Sequence, residues 1–135
     1  MPDADPTPVV TVFLRHRGEV LLLRRSDEVD SYPGRWGAVA GHVEDGDPAA
    51  SALREVEEET GLRGADVHPR RQGSAFTVED DDHGAHWRVH PFLFDVDSRS
   101  IQTNWETEAV EWASPTVLLR RDTVPDRWSS YRRVA

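Results

Sequence analysis

Cysteine and lysine are both absent from the 135 residues. Without cysteine there is no disulfide framework, no thiolate zinc centre and no thiol nucleophile, so any metal must be held by carboxylates, carbonyls or histidines, which favours a hard cation. Without lysine, all 16 basic residues are arginine, set against 25 acidic ones for a net charge of −9. That balance repels nucleic-acid backbones at long range and argues against a general DNA or RNA binder. Acidic, lysine-free surfaces resemble those of proteins from a high-salt cytoplasm, and this halophilic reading is preferred over a GC-rich genome that writes Arg for Lys. No apolar run reaches bilayer-spanning length, and Met1 to Pro8 is acidic and proline-rich without a basic region followed by an apolar one. A soluble, cytoplasmic protein is expected, with a flexible N-terminal segment over residues 1–7 and one domain over 8–135.

Val9 to Arg15 and Glu19 to Arg25 are apolar and β-branched around the turn-like His16-Arg17-Gly18, which predicts paired strands. Ser26 to Arg35 is loop by composition, and Trp36 to Gly41 is a short apolar strand. Two further strands between Gln72 and Asp95 flank the turn Asp80 to Gly84, Val110 to Ala113 adds another, and Pro115 to Arg121 and Pro125 to Arg133 each open on proline as short helices. Strands, one long helix, strands and then helices make an α/β layout with a mixed sheet.

The long helix is the informative part. Asp47 suits the cap, Pro48 the first helical position and Gly61 the left-handed stop, so the helix should run from about Pro48 to Thr60. Ala49, Ala52, Leu53 and Val56 form an apolar stripe expected to face the sheet. Glu55, Glu58 and Glu59 fall at i, i+3 and i+4 on a neighbouring face, where three carboxylates repel one another unless something positive sits among them. Mg²⁺ or Mn²⁺ fits that need, because these ions take oxygen ligands and keep waters for bridging to phosphate. A plain solvated acidic face is the competing account of three glutamates alone.

The full string Gly41-His42-Val43-Glu44-Asp45-Gly46-Asp47, then Arg54-Glu55-Val56-Glu57-Glu58-Glu59-Thr60-Gly61-Leu62, resembles the Nudix box of the Nudix (MutT-like) hydrolases. That signature is a glycine, five residues, a glutamate, seven residues and then Arg-Glu-aliphatic-any-Glu-Glu-any-Gly-aliphatic. The second half matches throughout. The first half departs: six residues rather than seven separate Asp47 from Arg54, and aspartate stands for glutamate. The resemblance implies an α/β/α sandwich with a mixed sheet. It implies Mg²⁺ or Mn²⁺ held by Glu55, Glu58, Glu59 and the Gly41 carbonyl, and Arg54 as the orienting arginine. It further implies a glutamate from a later loop, ligand or general base, for which Glu106 lies at a fitting distance before the Trp112 strand, with Glu108 as second choice. The first acidic residue of the box implies a support for the loop, often through the box arginine.

The implied reaction is attack of water on phosphorus in a nucleoside diphosphate linked to another moiety, such as a nucleoside triphosphate, a dinucleoside polyphosphate or a nucleotide sugar. Arg24, Arg35 and Arg88, with Arg25 beside them, are candidate phosphate contacts because guanidinium forks match phosphate oxygens. Trp36, Trp87, Trp105 and Phe76 are candidates for stacking on a base, each also serviceable as core or rim. His86 and His90 share one side of a strand, which is read as an ordinary polar face rather than a metal site. The alternative function is a catalytically weakened, nucleotide-sensing regulatory module, since Arg15 to Arg25 and Arg120 to Arg133 resemble Nudix domains fused to translation-initiation-factor-2B-related domains in halophilic archaea. The expected partner is a small nucleotide, with no membrane or nucleic acid, and the reading leaves a homodimer open.

Overall fold

A computed structural model of the chain describes residues 5–125 and 127–135. Strand β1 (Thr7–His16) turns through Arg17 and Gly18, both at positive φ, into β2 (Glu19–Arg25), as a tight two-residue hairpin requires. Residues 1–4 of the expected N-terminal segment lie outside the described residues, and Thr7 already belongs to β1. The single strand expected over Trp36 to Gly41 is two: β3 (Trp36–Gly37) pairs with β2, and β4 (Val39–His42) pairs with β1. The chain crosses here from one neighbour to the other, because β1 and β2 pair only near their hairpin and then diverge.

Helix α1 (Pro48–Thr60) follows, then β5 (Val67–Gln72), β6 (Phe76–Asp80), β7 (Ala85–Val96) and β8 (Thr107–Ala113). β7 lies parallel to β1 and antiparallel to β5 and β6, while β8 runs antiparallel to β2, so the eight-stranded sheet is mixed. Most of β5 escapes the sequence reading because Val-His-Pro-Arg-Arg-Gln lacks strand periodicity. Its proline is tolerated beside a register shift between Pro69 and Arg71. Pro115 to Arg121, expected to be a helix, forms a 3-10 turn over Pro115–Leu119, and α2 (Arg127–Arg132) occupies part of the expected Pro125 to Arg133 helix, with Asp126 outside the described residues.

Alternation along the strands builds two cores. Val10, Val12, Leu14, Leu21, Leu23, Phe92 and Phe94 face α1, which contributes Ala52 and Val56. Phe13, Val20, Leu22 and Leu93 face the C-terminal elements, which contribute Leu118, Tyr131 and Val134. The sheet is thus buried on both faces, a three-layer sandwich. Among the described residues no helix is long and apolar enough to cross a membrane.

The parallel pair β1 and β7 is stapled at one end by Asp95, which accepts from Arg15 Nε at 2.7 Å and Nη2 at 3.1 Å and from the more exposed Arg70 at 2.7 Å. The Arg15 hydrogen bond, with Arg70, holds the Asp95 carboxyl below its usual range. A depressed carboxyl stabilises the fold above its unfolded pKa and loses that contribution as pH falls through the folded value. Asp95→Asn should therefore cost about 1–2 kcal/mol at neutral pH. In urea titrations at several pH values the gap to wild type should close below about pH 4; a gap that is unchanged by acid would contradict this account.

Candidate active site

Helix α1 is framed as its ends demand: Asp47 Oδ1 accepts from Ala50 N at 3.1 Å, Pro48 opens the helix, and Gly61 at φ 78° returns its N–H to Glu57 O. The buried face is Ser51, Ala52, Val56 and Thr60, whereas Ala49 and Leu53, expected on the core stripe, are exposed. The stripe is displaced because Ser51 reaches back to the preceding loop, its Oγ accepting from Glu44 N at 2.9 Å. That rotation sends the acidic face toward the gap between the diverging β2 and β4.

Of the three glutamates expected to converge, the structure brings two together. Glu55 and Glu59 stand beside each other, with the Ala40 backbone next to Glu59. Burial, then Glu55, then Glu106 hold the Glu59 carboxyl well above its usual range, and burial is also the main cause raising Glu55. Glu58 is more than half exposed and leans on Arg54 Nε at 3.8 Å. Helical geometry explains the split: residues four apart differ by about 40° around the axis, while Glu58 is turned about 100° from Glu59. Gly41 makes room for the pair, since a Cβ there would collide with the Glu55 carboxylate.

The departures in the first half of the box resolve structurally. Asp47 is spent as the helix cap, and Glu44 takes the hold on Arg54, at 3.2 Å. Arg54 also meets Glu55 at 3.6 Å and the His42 carbonyl at 3.5 Å. Asp45 and Gly46, both at positive φ, make the tightened turn that permits this. Glu44 was legible only as part of the motif string, because counting from Gly41 gives the supporting position to Asp47 and counting back from Arg54 gives it to Gly46.

A cavity of about 450 Å³ opens beside Glu59 and Gly41, with Arg25, Tyr32, Trp87, Trp105, Glu106 and Arg127 among its walls. Glu106 belongs to this cleft, whereas Glu108 pairs with Arg24 at 3.0 Å outside it. Arg25 faces Glu59 and Glu106, and burial lowers its pKa; its Nε donates to Ser31 O at 2.7 Å. Tyr32 packs against Trp87 and His83 and donates to Asp80 at 2.8 Å; burial and this bond push its pKa up to about 12. Arg24, Arg35, Trp36 and Arg88, expected as substrate contacts, do not line the cleft. Arg35 lies over the Tyr32 ring, Trp36 lies beneath Arg121, and Arg88 is exposed on the α1 face of β7. Phe76 lies beneath Arg133, and His86 pairs with Glu79. Sequence alone did not single out Tyr32 and Arg127, which reach the cleft by tertiary folding.

The sequence profile of the NUDIX domain family matches residues 5–134. The chain belongs to the Nudix family. It is 45% identical over 56 residues to Nudix hydrolase 3 of Arabidopsis thaliana, a match that covers 40% of this chain. The chain spans only 7% and 16% of the lengths of the curated relatives it matches. Its fold is that of the MutT protein from Methanosarcina mazei Go1 (TM-score 0.75, 25% identity, 98% of this chain and 95% of that one covered). It is also that of a C. elegans Ap4A hydrolase (TM-score 0.73, 21% identity, 94% and 93% covered). The mixed-sheet Nudix sandwich expected from the sequence is therefore the fold observed.

Nudix hydrolases generally use divalent metal ions, and the residues present fit one. Glu59 Oε2 is buried with no hydrogen-bond partner, and two carboxylates crowd beside a backbone carbonyl strand at Gly41. Among the described residues no three carboxylates or histidines are already gathered to hold an ion. The close packing at Gly41 is testable apart from catalysis. Gly41→Ala must push aside the Glu55 carboxylate, the mobile end of a flexible side chain, so it should cost little stability, under about 1 kcal/mol, while weakening Mn²⁺ binding through the displaced glutamate. Denaturant unfolding and metal titration of the variant measure the two effects; a large loss of stability with unchanged Mn²⁺ affinity would contradict this account.

Proposed function

We propose that this Nudix chain is a divalent-metal-dependent pyrophosphohydrolase acting on a nucleoside diphosphate linked to another moiety: a nucleoside triphosphate, dinucleoside polyphosphate or nucleotide sugar. Hydrolase is the class carried by the name of its Arabidopsis relative. The observation that carries the reading is the enclosed Glu55–Glu59 pair opening on a cleft that also holds Arg25, Glu106 and aromatic walls. Glu55, Glu58, Glu59 and the Gly41 carbonyl would hold Mg²⁺ or Mn²⁺, with Glu58 swinging from its loose contact with Arg54. When bound, the cation neutralises phosphate charge and acidifies water.

The chain's own residues do the rest. Arg54 orients the loop and helix glutamates through Glu44 and the His42 carbonyl. Arg25, one of the phosphate candidates of the sequence beside Arg24, Arg35 and Arg88, presents a guanidinium to phosphate. Tyr32, Trp87 and Trp105 supply flat surfaces for the nucleoside. Glu106 takes the proton of the attacking water as its oxygen bonds phosphorus and the bridging P–O bond breaks, leaving two phosphate-terminated products.

The alternative, a nucleotide-sensing module weakened by the short box and carried ahead of a factor-2B-related domain, expects the loop to have lost its hold on Arg54. Glu44 keeps that hold, so hydrolysis is the reading retained. The acidic, lysine-free composition recommends assay at high salt. A panel of the three substrate classes with Mg²⁺ or Mn²⁺ should show turnover that EDTA abolishes. Glu58→Gln and Glu59→Gln should each lower kcat by roughly two or more orders of magnitude. No turnover of any substrate, with unchanged metal affinity in both variants, would sink the proposal.

A further inference from the structure

Helix α1 carries Glu55 and Glu59, but Glu106 comes from the loop before β8, and nothing in the helix itself fixes the distance between them. The last four carbonyls of a helix lack intrahelical partners. Here two of them are taken by that loop: Thr60 O accepts from Gln102 N at 2.9 Å, and Glu58 O accepts from Asn104 Nδ2 at 3.3 Å. The other end of the same side chain, Asn104 Oδ1, accepts from Glu106 N at 3.0 Å, and the Asn104 carbonyl accepts from Thr107 N at 3.2 Å. The Glu106 carbonyl in turn accepts from Ser26 N at 2.9 Å, next to Arg25.

We infer that Asn104 is a positioning residue: its amide couples the C-terminal turn of the glutamate helix to the Glu106 backbone and so sets the Glu106 carboxylate opposite Glu59. Donor and acceptor on one short side chain are both needed. The acceptor alone makes a local turn of the kind Asn and Asp commonly form with the residue two ahead; the donor alone caps a carbonyl. Together they transmit the position of the helix to the loop. Aspartate keeps the first function and loses the second, which makes Asn104→Asp the diagnostic change.

This inference rests on the role proposed for Glu106, and the experiment separates the two. Mn²⁺ affinity, measured with the metal alone by titration against the free-ion electron paramagnetic resonance signal, is compared for wild type, Asn104→Ala, Asn104→Asp, Glu106→Gln and Asn104→Ala/Glu106→Gln, each checked for folding by its melting curve. Asn104→Ala removes no charge, so any weakening must come from displacement. It should weaken Mn²⁺ binding roughly tenfold, as expected when a supporting partner of a metal site is removed. Glu106→Gln removes a negative charge that acts on Glu59, so it should weaken Mn²⁺ binding to a similar extent as well as remove the base, and the double variant should be no weaker than Glu106→Gln alone. Asn104→Asp should behave as Asn104→Ala despite its added negative charge, and it carries the comparison if Asn104→Ala does not fold. On the best substrate of the nucleotide panel the loss should appear in kcat rather than KM. Wild-type turnover in Glu106→Gln would remove the reading of Glu106 and the coupling with it; lost turnover with wild-type Mn²⁺ affinity would keep Glu106 as the base, and wild-type kcat in Asn104→Ala would then overturn the coupling. A weakened Glu106→Gln beside an unaffected Asn104→Ala, additive losses in the double variant, or full recovery in Asn104→Asp would overturn the coupling while leaving Glu106 in place.

Discussion

An enclosed carboxylate without enough positive charge around it organises this structure. Glu59 lies beside the cleft next to the Ala40 backbone and has Glu55 and Glu106 as acidic neighbours. Burying a carboxylate is costly, and burying it beside others is costlier still, so such an arrangement does not serve stability. Perturbed groups of this kind gather at functional clefts. The strand crossover between β3 and β4, the bare backbone of Gly41 and the rotation of α1 all serve to create or reach the gap between β2 and β4.

Around it the cationic groups are few and specific. Arg54 meets three glutamates and a loop carbonyl from the outer side, and Arg25 faces Glu59 and Glu106 from the cleft side. A lysine would be a poorer choice at Arg54, because one flexible ammonium cannot present the separate donors that a planar guanidinium offers to several oxygens. Other arginines are consumed structurally: Arg15 and Arg70 on Asp95, Arg99 on Glu19 and the His16 carbonyl, Arg121 on Glu111. In a chain this acidic the ordinary fate of an arginine is a carboxylate partner. For that reason Arg24 and Arg35, attractive as phosphate contacts by residue type, are engaged elsewhere.

The shortened first half of the Nudix box shows how one deletion is absorbed. The usual loop must both cap the helix and hold the box arginine. Here Asp47 does the first and Glu44 the second, with the positive-φ pair Asp45 and Gly46 closing the tighter path between them. Ser51 adds the tie from Glu44 N to the helix, which turns Ala49 and Leu53 outward. The loop thus keeps its two functions with one residue fewer.

Helix α1, its caps, the β1–β2 hairpin and the glutamate-bearing motif were all readable in one dimension, because helix ends, tight turns and motif spacing are set by interactions among residues close in the chain. What needed three dimensions was every decision about which side chain meets which across elements. Periodicity placed Glu55, Glu58 and Glu59 on one broad face, but only packing against β4 separated the enclosed pair from the exposed Glu58. Local pattern likewise could not find β5, whose polar, proline-bearing strand exists because β7 offers it an edge. Glu106, Tyr32, Arg25 and Arg127 come from four different segments, and they share a cleft only because the diverging strands leave an opening there. Short-range chemistry wrote the glutamate-bearing helix, and long-range packing chose its company.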